Sequence, residues 1–233
     1  MRLSALARLA VLSGALWSAP GCRSQDSAAD QRQAITARVR VAPIADDHPW
    51  VMAFLTNVSM TQPPGLDARL DGRTGPQGLR HPEPIIEGES RAALTSELEA
   101  YSKVHPRPPN LAPVFGKGLD DHRTRELQRL YFIDMNEGFT VDAGATVGLE
   151  VHDHGPSAHL YLGKAQTGTF ADLTSAHRGR RLAVVIDEDV VMLPMVMSTI
   201  SDGELQLIGE GGRDPEKTAP ALARRLAGTG SGG

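Results

Sequence analysis

The stretch that decides the fold is "RRLAVVIDEDVVMLPMVMSTI", residues 180–200, in which two apolar runs flank three consecutive acids. Residues 182–186 are apolar at every position, which is typical of a strand covered on both faces. The second run contains Pro194, which restricts it to an edge or bulged strand. The pattern predicts a buried β-hairpin whose tip is the acidic tripeptide 187–189.

The same tripeptide could instead be a carboxylate site for acid–base chemistry. Such pairs need a cleft that shifts their pKa values, and a hairpin tip meets water. The sequence also contains no nucleophile elbow, no His-Glu-x-x-His helix and no phosphate-binding loop. We therefore predict that the acids are structural, that the protein is not an enzyme and that it has no cofactor.

The first 22 residues, "MRLSALARLAVLSGALWSAPGC", have the layout of an export signal, with early arginines, an apolar stretch and small residues before a cysteine. We predict a signal peptide over residues 1–21 and a flexible tether over residues 22–34, which are small and polar. Cys22 is the only cysteine. The end of the signal is similar to a bacterial lipobox, although Ala19 and Pro20 depart from the usual Leu-Ala pair. Lipidation of Cys22 would anchor the protein on the periplasmic side of the bacterial envelope, and without it the protein would be secreted.

The composition of the chain excludes some classes of binding partner. The chain has a formal net charge of -4 and no basic stripe, which argues against a nucleic-acid partner. Beyond residue 22 no apolar run reaches the roughly 20 residues that cross a bilayer. Any attachment to a membrane would therefore depend on the lipid anchor.

Hydrophobic periodicity predicts an α+β fold with one small mixed or antiparallel sheet and helices packed on one face. In residues 35–84 we expect two strands, "ITARVRVAPI" and "WVMAFLTNVSM", and then a Pro- and Gly-rich linker over residues 61–84. Residues 85–229 are predicted to form the main α+β domain. Its helices are expected in "GESRAALTSELEAYSKVHP", "GTFADLTSAHRG" and "DPEKTAPALARRLAG", where Ser90 and Asp214 are N-cap residues. Further strands are expected in "RELQRLYFIDM", "TVGLEV", "AHLYL" and "ELQLIGE".

Two clusters are candidate binding residues. His152, His154 and His159 lie close together in sequence, and neutral imidazoles are good ligands for zinc or copper. The cluster lacks a recognised metal spacing, and a Gly-Pro loop is a common place for unliganded histidines, so we predict no bound metal. The second cluster flanks Pro194 and consists of Met192, Met195 and Met197. These methionines either fill the core or form an adaptable apolar surface for unfolded chains.

The segment "FADLTSAHRGRRLAVVIDEDVVMLPMVMSTISDGELQLIGE", followed by "DPEKTAPALARRLAG", resembles the head of the first periplasmic domain of SecD, an accessory subunit of the bacterial preprotein translocase. The family pattern is a short helix, a strand similar to "LAIVLD", a turn, a proline-containing strand, a glycine turn, another strand and a helix. The matching residues are Leu173, Thr174, Gly179, Arg180, Leu182 to Asp187, Pro194, Val196, Ile200, Gly203, Ile208 and Gly209.

Some positions depart from that pattern. Glu188 occupies the usual turn glycine, Leu193 replaces an alanine, and Asp202-Gly203 replaces a Gly-Gly pair. In the SecD family the last helix leads into membrane helices that couple proton flow to export, and we expect this chain to lack that part. The resemblance therefore implies only a small α+β head that contacts unfolded preprotein.

Together these features favour an exported, lipid-anchored binding or accessory module linked to protein export. Its expected partners are unfolded secretory proteins or translocase components. The alternative is an envelope scaffold, or a sensor of a small ligand or metal, that reuses the same fold. Apolar exposure along residues 190–197 would favour the first hypothesis, and a polar pocket near the histidines would favour the second.

The lipid anchor is directly testable by metabolic labelling with radioactive palmitate. We expect the wild-type chain to carry the label and Cys22→Ser to lose it, and globomycin to cause the unprocessed precursor to accumulate. An unlabelled wild-type chain would contradict the anchor.

Overall fold

The computed structural model describes residues 32–74, 78, 80–119, 126–152, 155–207 and 215–228. The predicted signal peptide, Cys22 and most of the predicted tether lie outside these ranges. None of the helices within them is long and apolar enough to span a bilayer. They are α1 (Pro49–Thr61), α2 (Arg91–Val104), α3 (Lys164–Ala176) and α4 (Pro215–Leu226).

Strands make up most of the remaining described structure. They are β1 (Gln33–Ala34), β2 (Val39–Pro43), β3 (Leu66–Thr74), β4 (Arg80–Gly88), β5 (Leu111–Leu119), β6 (Glu126–Asp134), β7 (Phe139–Thr140), β8 (Thr146–His152), β9 (Gly155–Tyr161), β10 (Leu182–Ile186), β11 (Asp189–Met192) and β12 (Glu204–Leu207).

The described strands form two sheets. The smaller has the order β1-β8-β9-β12, and the larger has the order β3-β4-β6-β5-β11-β10-β2-β7. All pairs are antiparallel except β5 with β11, which is parallel. The α+β class is therefore confirmed, whereas the expected single small sheet is wrong. The physical reason is that the apolar residues divide among separate clusters, which one small sheet could not cover.

Strand β10 lies inside the larger sheet, between β11 and β2, and all five of its residues are buried. The predicted hairpin is thereby confirmed. Alternate side chains enter different clusters: Val184 and Ile186 face the cluster beneath the smaller sheet, and Ala183 and Val185 face β5 and β6. Full burial of each valine or isoleucine contributes about 1.5–3 kcal/mol of hydrophobic free energy.

Helix α1 corrects the prediction of a strand in "WVMAFLTNVSM". Its buried residues are Val51, Phe54, Leu55 and Val58, spaced at i, i+3, i+4 and i+7, which is the helical period. Pro49 at the first helical turn, where its missing N–H costs nothing, reinforces the start. Neighbouring residues such as Trp50, Met52 and Ala53 are also apolar, so the helical period is not visible in the sequence alone.

Hairpin β3–β4 corrects the prediction that residues 61–84 lack regular structure. The strands pair over nine residues, from Leu66 with Gly88 to Thr74 with Arg80. Pro82 and Pro84 are tolerated because β4 pairs with β6 only at Glu87 and Gly88, so that the prolines lie where β4 has one neighbour. Proline content therefore concealed a strand at this position.

The other helices agree more closely with the predictions made from the sequence. Ser90 caps α2 by accepting a hydrogen bond from the Ala93 N–H at 3.2 Å. Helix α3 begins at Lys164, four residues before the expected start. Helix α4 begins at Pro215, but its predicted cap Asp214 lies outside the described residues. Gln33 and Ala34, predicted as tether, instead pair with β8.

The segment before β2 is tied to the end of α4. The backbone N–H groups of Thr36 and Ala37 donate to the Leu226 carbonyl at 3.1 and 3.2 Å. The Thr36 hydroxyl donates to the Ala227 carbonyl at 2.9 Å. These bonds satisfy carbonyls that the end of a helix leaves without internal partners. The two ends of the described chain are thus joined.

A buried ion cluster precedes β10. The Arg181 side chain is 5% exposed and contacts Asp46 through a bond of 2.7 Å and Glu83 through a bond of 2.5 Å. Burial is the largest influence on Asp46 and raises its pKa, against the opposing effect of Arg181. Arg181 therefore offsets the charge of two acids that are largely removed from water.

We predict that Arg181→Met lowers the free energy of unfolding by about 3–5 kcal/mol, because it leaves buried carboxylates without their cation. Loss of the arginine raises the pKa of Asp46 further, so the destabilisation is smaller at acidic pH, where the carboxyl is protonated, and grows as the pH rises. Urea unfolding across a pH series measures both effects.

Arg180→Met is the matched control. Arg180 contacts Asp47 at 2.8 Å, but both side chains are about half exposed, so the change should cost at most about 1 kcal/mol. Equal destabilisation by the two variants would contradict the role assigned to the buried cluster.

Candidate functional site

The acids of the β10–β11 turn lie at the surface, as predicted. Asp187 and Glu188 are exposed, and Asp189 is half-buried. The sequence did not reveal their partners, two arginines from α2 and α4. Arg91 contacts Glu188 at 2.5 Å, and Arg225 contacts Asp189 at 2.7 Å.

These arginines also reach apolar and backbone groups of the sheet. The Arg91 guanidinium lies 4.2 Å from the centroid of the Phe115 ring, an attractive cation–π arrangement. Arg225 donates to the Ile186 carbonyl at 2.9 Å. The acidic turn therefore forms ion pairs with α2 and α4, which connect both helices to the hairpin. This is a structural role.

An apolar groove of about 230 Å³ lies beside the second half of the hairpin. It contains the three methionines singled out in the sequence, of which Met192 and Met195 are half-buried and Met197 is 62% exposed. We call it the methionine groove. Its other lining residues are Val41, Phe170, Thr174, Leu182, Val184, Pro194, Val196, Ser198, Ile200, Glu204, Leu205 and Gln206.

The methionine groove is shaped by three elements. Strand β11 ends at Met192, but the chain stays beside the start of β10, where Met195 forms a bridge with Arg181, before it reaches α3. Thr174 of α3 accepts a hydrogen bond from the Ile200 N–H at 3.0 Å, which fixes the far end of this segment. Strand β12 forms the remaining wall and is the terminal strand of the smaller sheet, so among the described residues it pairs only with β9.

A second cavity of about 390 Å³ lies between α4 and the diverging strands β5 and β11. Its lining is mainly apolar, with Phe115, Val190 and Leu222, and includes polar or charged residues such as Gln128 and Arg225. An apolar interior with a few polar groups is typical of small-molecule sites. The sequence patterns did not indicate this cavity, because its walls come from distant segments.

Two positions of the candidate histidine cluster, His152 and His159, are separated along the β8–β9 hairpin. His152 pairs with Gly155, and His159 pairs with Gly148. Because a strand rises about 3.3 Å per residue, the four-residue step from 155 to 159 separates these positions by about 13 Å. His154 and the side chain of His152 lie outside the described structure.

His159 instead belongs to a polar network on one face of the smaller sheet. Its side chain is 5% exposed, with Nδ1 lying 2.5 Å from Glu204 Oε1 and Nε2 lying 2.8 Å from Ser157 Oγ. Gln206 donates to the same serine oxygen at 3.1 Å. The side chains share one face because their strands pair in register, with Gln206 opposite His159.

Glu150 and Tyr161 extend this network. The Tyr161 hydroxyl donates a hydrogen bond to Glu150, and the Arg32 guanidinium lies 3.6 Å from the centroid of the tyrosine ring. Burial raises the pKa of Tyr161 to about 12, and the nearby charges of Glu150 and Glu204 act in the same direction. The Arg32 guanidinium opposes these effects and lowers the pKa of Tyr161.

Serine, histidine and glutamate occur here in the order found in serine hydrolases. In those enzymes the serine is open to substrate, whereas Ser157 is 5% exposed. The network therefore offers no accessible nucleophile. Sequence reasoning missed it because Glu204 lies 45 residues from His159, although the alternation along each strand could have indicated the shared face.

Comparison with known proteins gives one family match. The model of the SecDF P1 head subdomain matches residues 139–229. The predicted resemblance is confirmed, and the matched segment lies within the predicted range 85–229. No curated protein sequence matches the chain.

Two solved structures of SecDF are similar to the chain, each at 15% identity and a TM-score of 0.31. One is a crystal structure of SecDF in a super-membrane-facing form; the match covers 85% of this chain and 28% of that chain. The other describes SecDF as a membrane component that enhances protein export; the match covers 82% of this chain and 93% of that chain. The chain thus spans less than a third of the first structure.

The coupling of Tyr161 to Glu150 gives a titration test. We expect Glu150→Gln to lower the pKa of Tyr161 from about 12 toward its usual 10.0, because the variant removes an anion and the acceptor of its hydrogen bond. In the wild type the stabilisation from this group is present below pH 10.0 and is lost as the pH rises toward 12. Phenolate absorbance, with Tyr161→Phe subtracted, measures the shift.

Glu126→Gln is the control for that titration, since Glu126 is an exposed acid paired with Lys117 on another sheet. It should leave the Tyr161 titration unchanged. An unshifted curve in Glu150→Gln would contradict the proposed coupling.

Proposed function

We propose that the protein is a non-enzymatic accessory module of protein export that contacts extended, unfolded secretory chains through the methionine groove. The match of residues 139–229 to the SecDF P1 head supports a role in export. The observation that carries the proposal is an apolar groove bordered by a terminal strand. An unfolded chain presents both apolar side chains and unpaired backbone groups, and this surface suits both.

The chemistry of the groove fits a variable ligand. Methionine side chains are flexible and polarizable, so they adapt to apolar groups of different shape. Met197 is the most exposed of the three, at 62%, and is available for first contact. Strand β12 has a side without a partner strand among the described residues, where an extended peptide could add as a further strand.

The location in the cell belongs to the same proposal. A lipid on Cys22 would hold the module on the periplasmic side of the envelope, where secretory chains emerge unfolded. Translocase components are its expected neighbours there. A short polar tether after the lipid would let the module reach chains near the membrane surface.

Binding of a fluorescent, unfolded secretory polypeptide to the purified chain tests the groove. We expect Met195→Ser with Met197→Ser to weaken binding at least severalfold, because apolar contact area becomes polar. Met60→Ser is the matched control: Met60 lies on α1 and is 80% exposed. Circular dichroism verifies that all variants fold.

Two outcomes would contradict the proposal. One is the absence of polypeptide binding by the wild type, and the other is equal weakening by Met60→Ser, which would indicate nonspecific adhesion. Retention of translocase components by the wild-type chain in a pull-down is a separate expectation, independent of the groove variants.

The second candidate function is a small-ligand sensor of the envelope. The cavity of about 390 Å³ between α4, β5 and β11 favours it, because that volume falls within the range of small-molecule pockets. Thermal-shift screening of small apolar ligands distinguishes the two functions. A ligand of this cavity should lose affinity in Leu222→Gln and be unaffected by Met197→Ser.

A further inference from the structure

We propose that His159 and Glu150 bind a divalent transition-metal ion, with zinc as the representative, and that Glu204 orients the histidine for this purpose. This site adjoins the methionine groove, which Glu204 also lines, but its ligand and its test variants differ from those of the groove. Glu150, His159 and Glu204 each offer a ligand atom, and the three atoms lie within 4.8 Å of one another. The residues come from β8, β9 and β12, three neighbouring strands of one sheet.

The contacts of the imidazole assign a role to each nitrogen. Nδ1 lies 2.5 Å from Glu204 Oε1, so it carries the proton donated to that carboxylate. The lone pair of the neutral ring is then on Nε2. A metal-bound histidine almost always donates its other ring N–H to a carboxylate or carbonyl, and this arrangement is present here.

The distance to Glu150 suits a shared ion. His159 Nε2 lies 4.0 Å from Glu150 Oε2. Two ligands of one tetrahedral zinc, each about 2.1 Å from the metal, lie about 3.4 Å apart. A movement of about 0.6 Å would therefore bring the pair onto one ion. The Glu150 side chain is 32% exposed, which gives an ion a route from solvent.

One hydrogen bond must change for an ion to bind Nε2. The Ser157 hydroxyl, 2.8 Å from Nε2, would give up its contact with the nitrogen and keep its bond from Gln206. The carboxylates of Glu150 and Glu204 lie on the same face of the sheet as the imidazole, and their charges attract a cation. The ion would link β8 to β9 and, through Glu204, to the terminal strand β12.

Isothermal titration of the purified full chain with zinc chloride tests the site. All variants carry Cys22→Ser, so that the thiol cannot bind the metal. We expect one ion per chain, a rise in Tm with zinc, and affinity about tenfold or more weaker in Glu204→Gln, since such orienting partners are typically worth 10–100-fold. Glu150→Gln, which removes a ligand, should weaken binding at least as much.

His159→Gln should abolish binding, and Glu150→Gln carries the test if the buried histidine cannot be replaced without unfolding. The matched control is the double variant His152→Gln with His154→Gln, which should bind zinc as the starting chain does. Binding lost in that double variant but kept in Glu150→Gln would move the site to the hairpin tip and overturn the assignment. A stoichiometry near zero in the starting chain would also overturn it, without affecting the polypeptide-binding test.

Discussion

The structure depends on the burial of β10 on both faces. Because all five residues are apolar, both faces of the strand are buried. The strand therefore requires neighbouring strands in the sheet and packing against each face. Strand β2 and strand β11 supply the neighbours. The smaller sheet with α3 and α4 covers one face, and β5 with β6 covers the other. The turn acids then pair with arginines of α2 and α4, which adds directional contacts at the tip.

The parts of the fold that could be predicted are those encoded locally. The β10–β11 hairpin followed from its apolar runs, and α2 followed from Ser90 and its helical spacing. Helix α1 was misassigned because apolar residues at every turn resemble a strand. Hairpin β3–β4 was missed because proline content is a poor guide when a strand has only one neighbour. The division into two sheets depends on pairing between distant segments, which periodicity does not report.

The candidate sites, like the fold, could be predicted only where their residues are close together in the sequence. The methionines lie together because they are close in sequence, and their segment determines the groove directly. The histidines of the sequence cluster separate because a hairpin of two strands places 152 and 159 at different heights. Meanwhile His159 gains Glu150 and Glu204 from neighbouring strands. Spacing along the chain predicts a site only when its residues share one element, and this polar face uses three.

The bonds between Thr36, Ala37 and the last turn of α4 constrain how the chain can reach its native state. The backbone N–H groups of the segment before β2 find their acceptor in a residue almost two hundred positions later in the sequence. Strand β2 likewise gains its hydrogen-bonded neighbour only when β10 is present. During synthesis from the amino terminus, the apolar cluster beneath the smaller sheet therefore cannot be completed until α4 is available. Until then the segment that enters β2 lacks the acceptors of its backbone N–H groups.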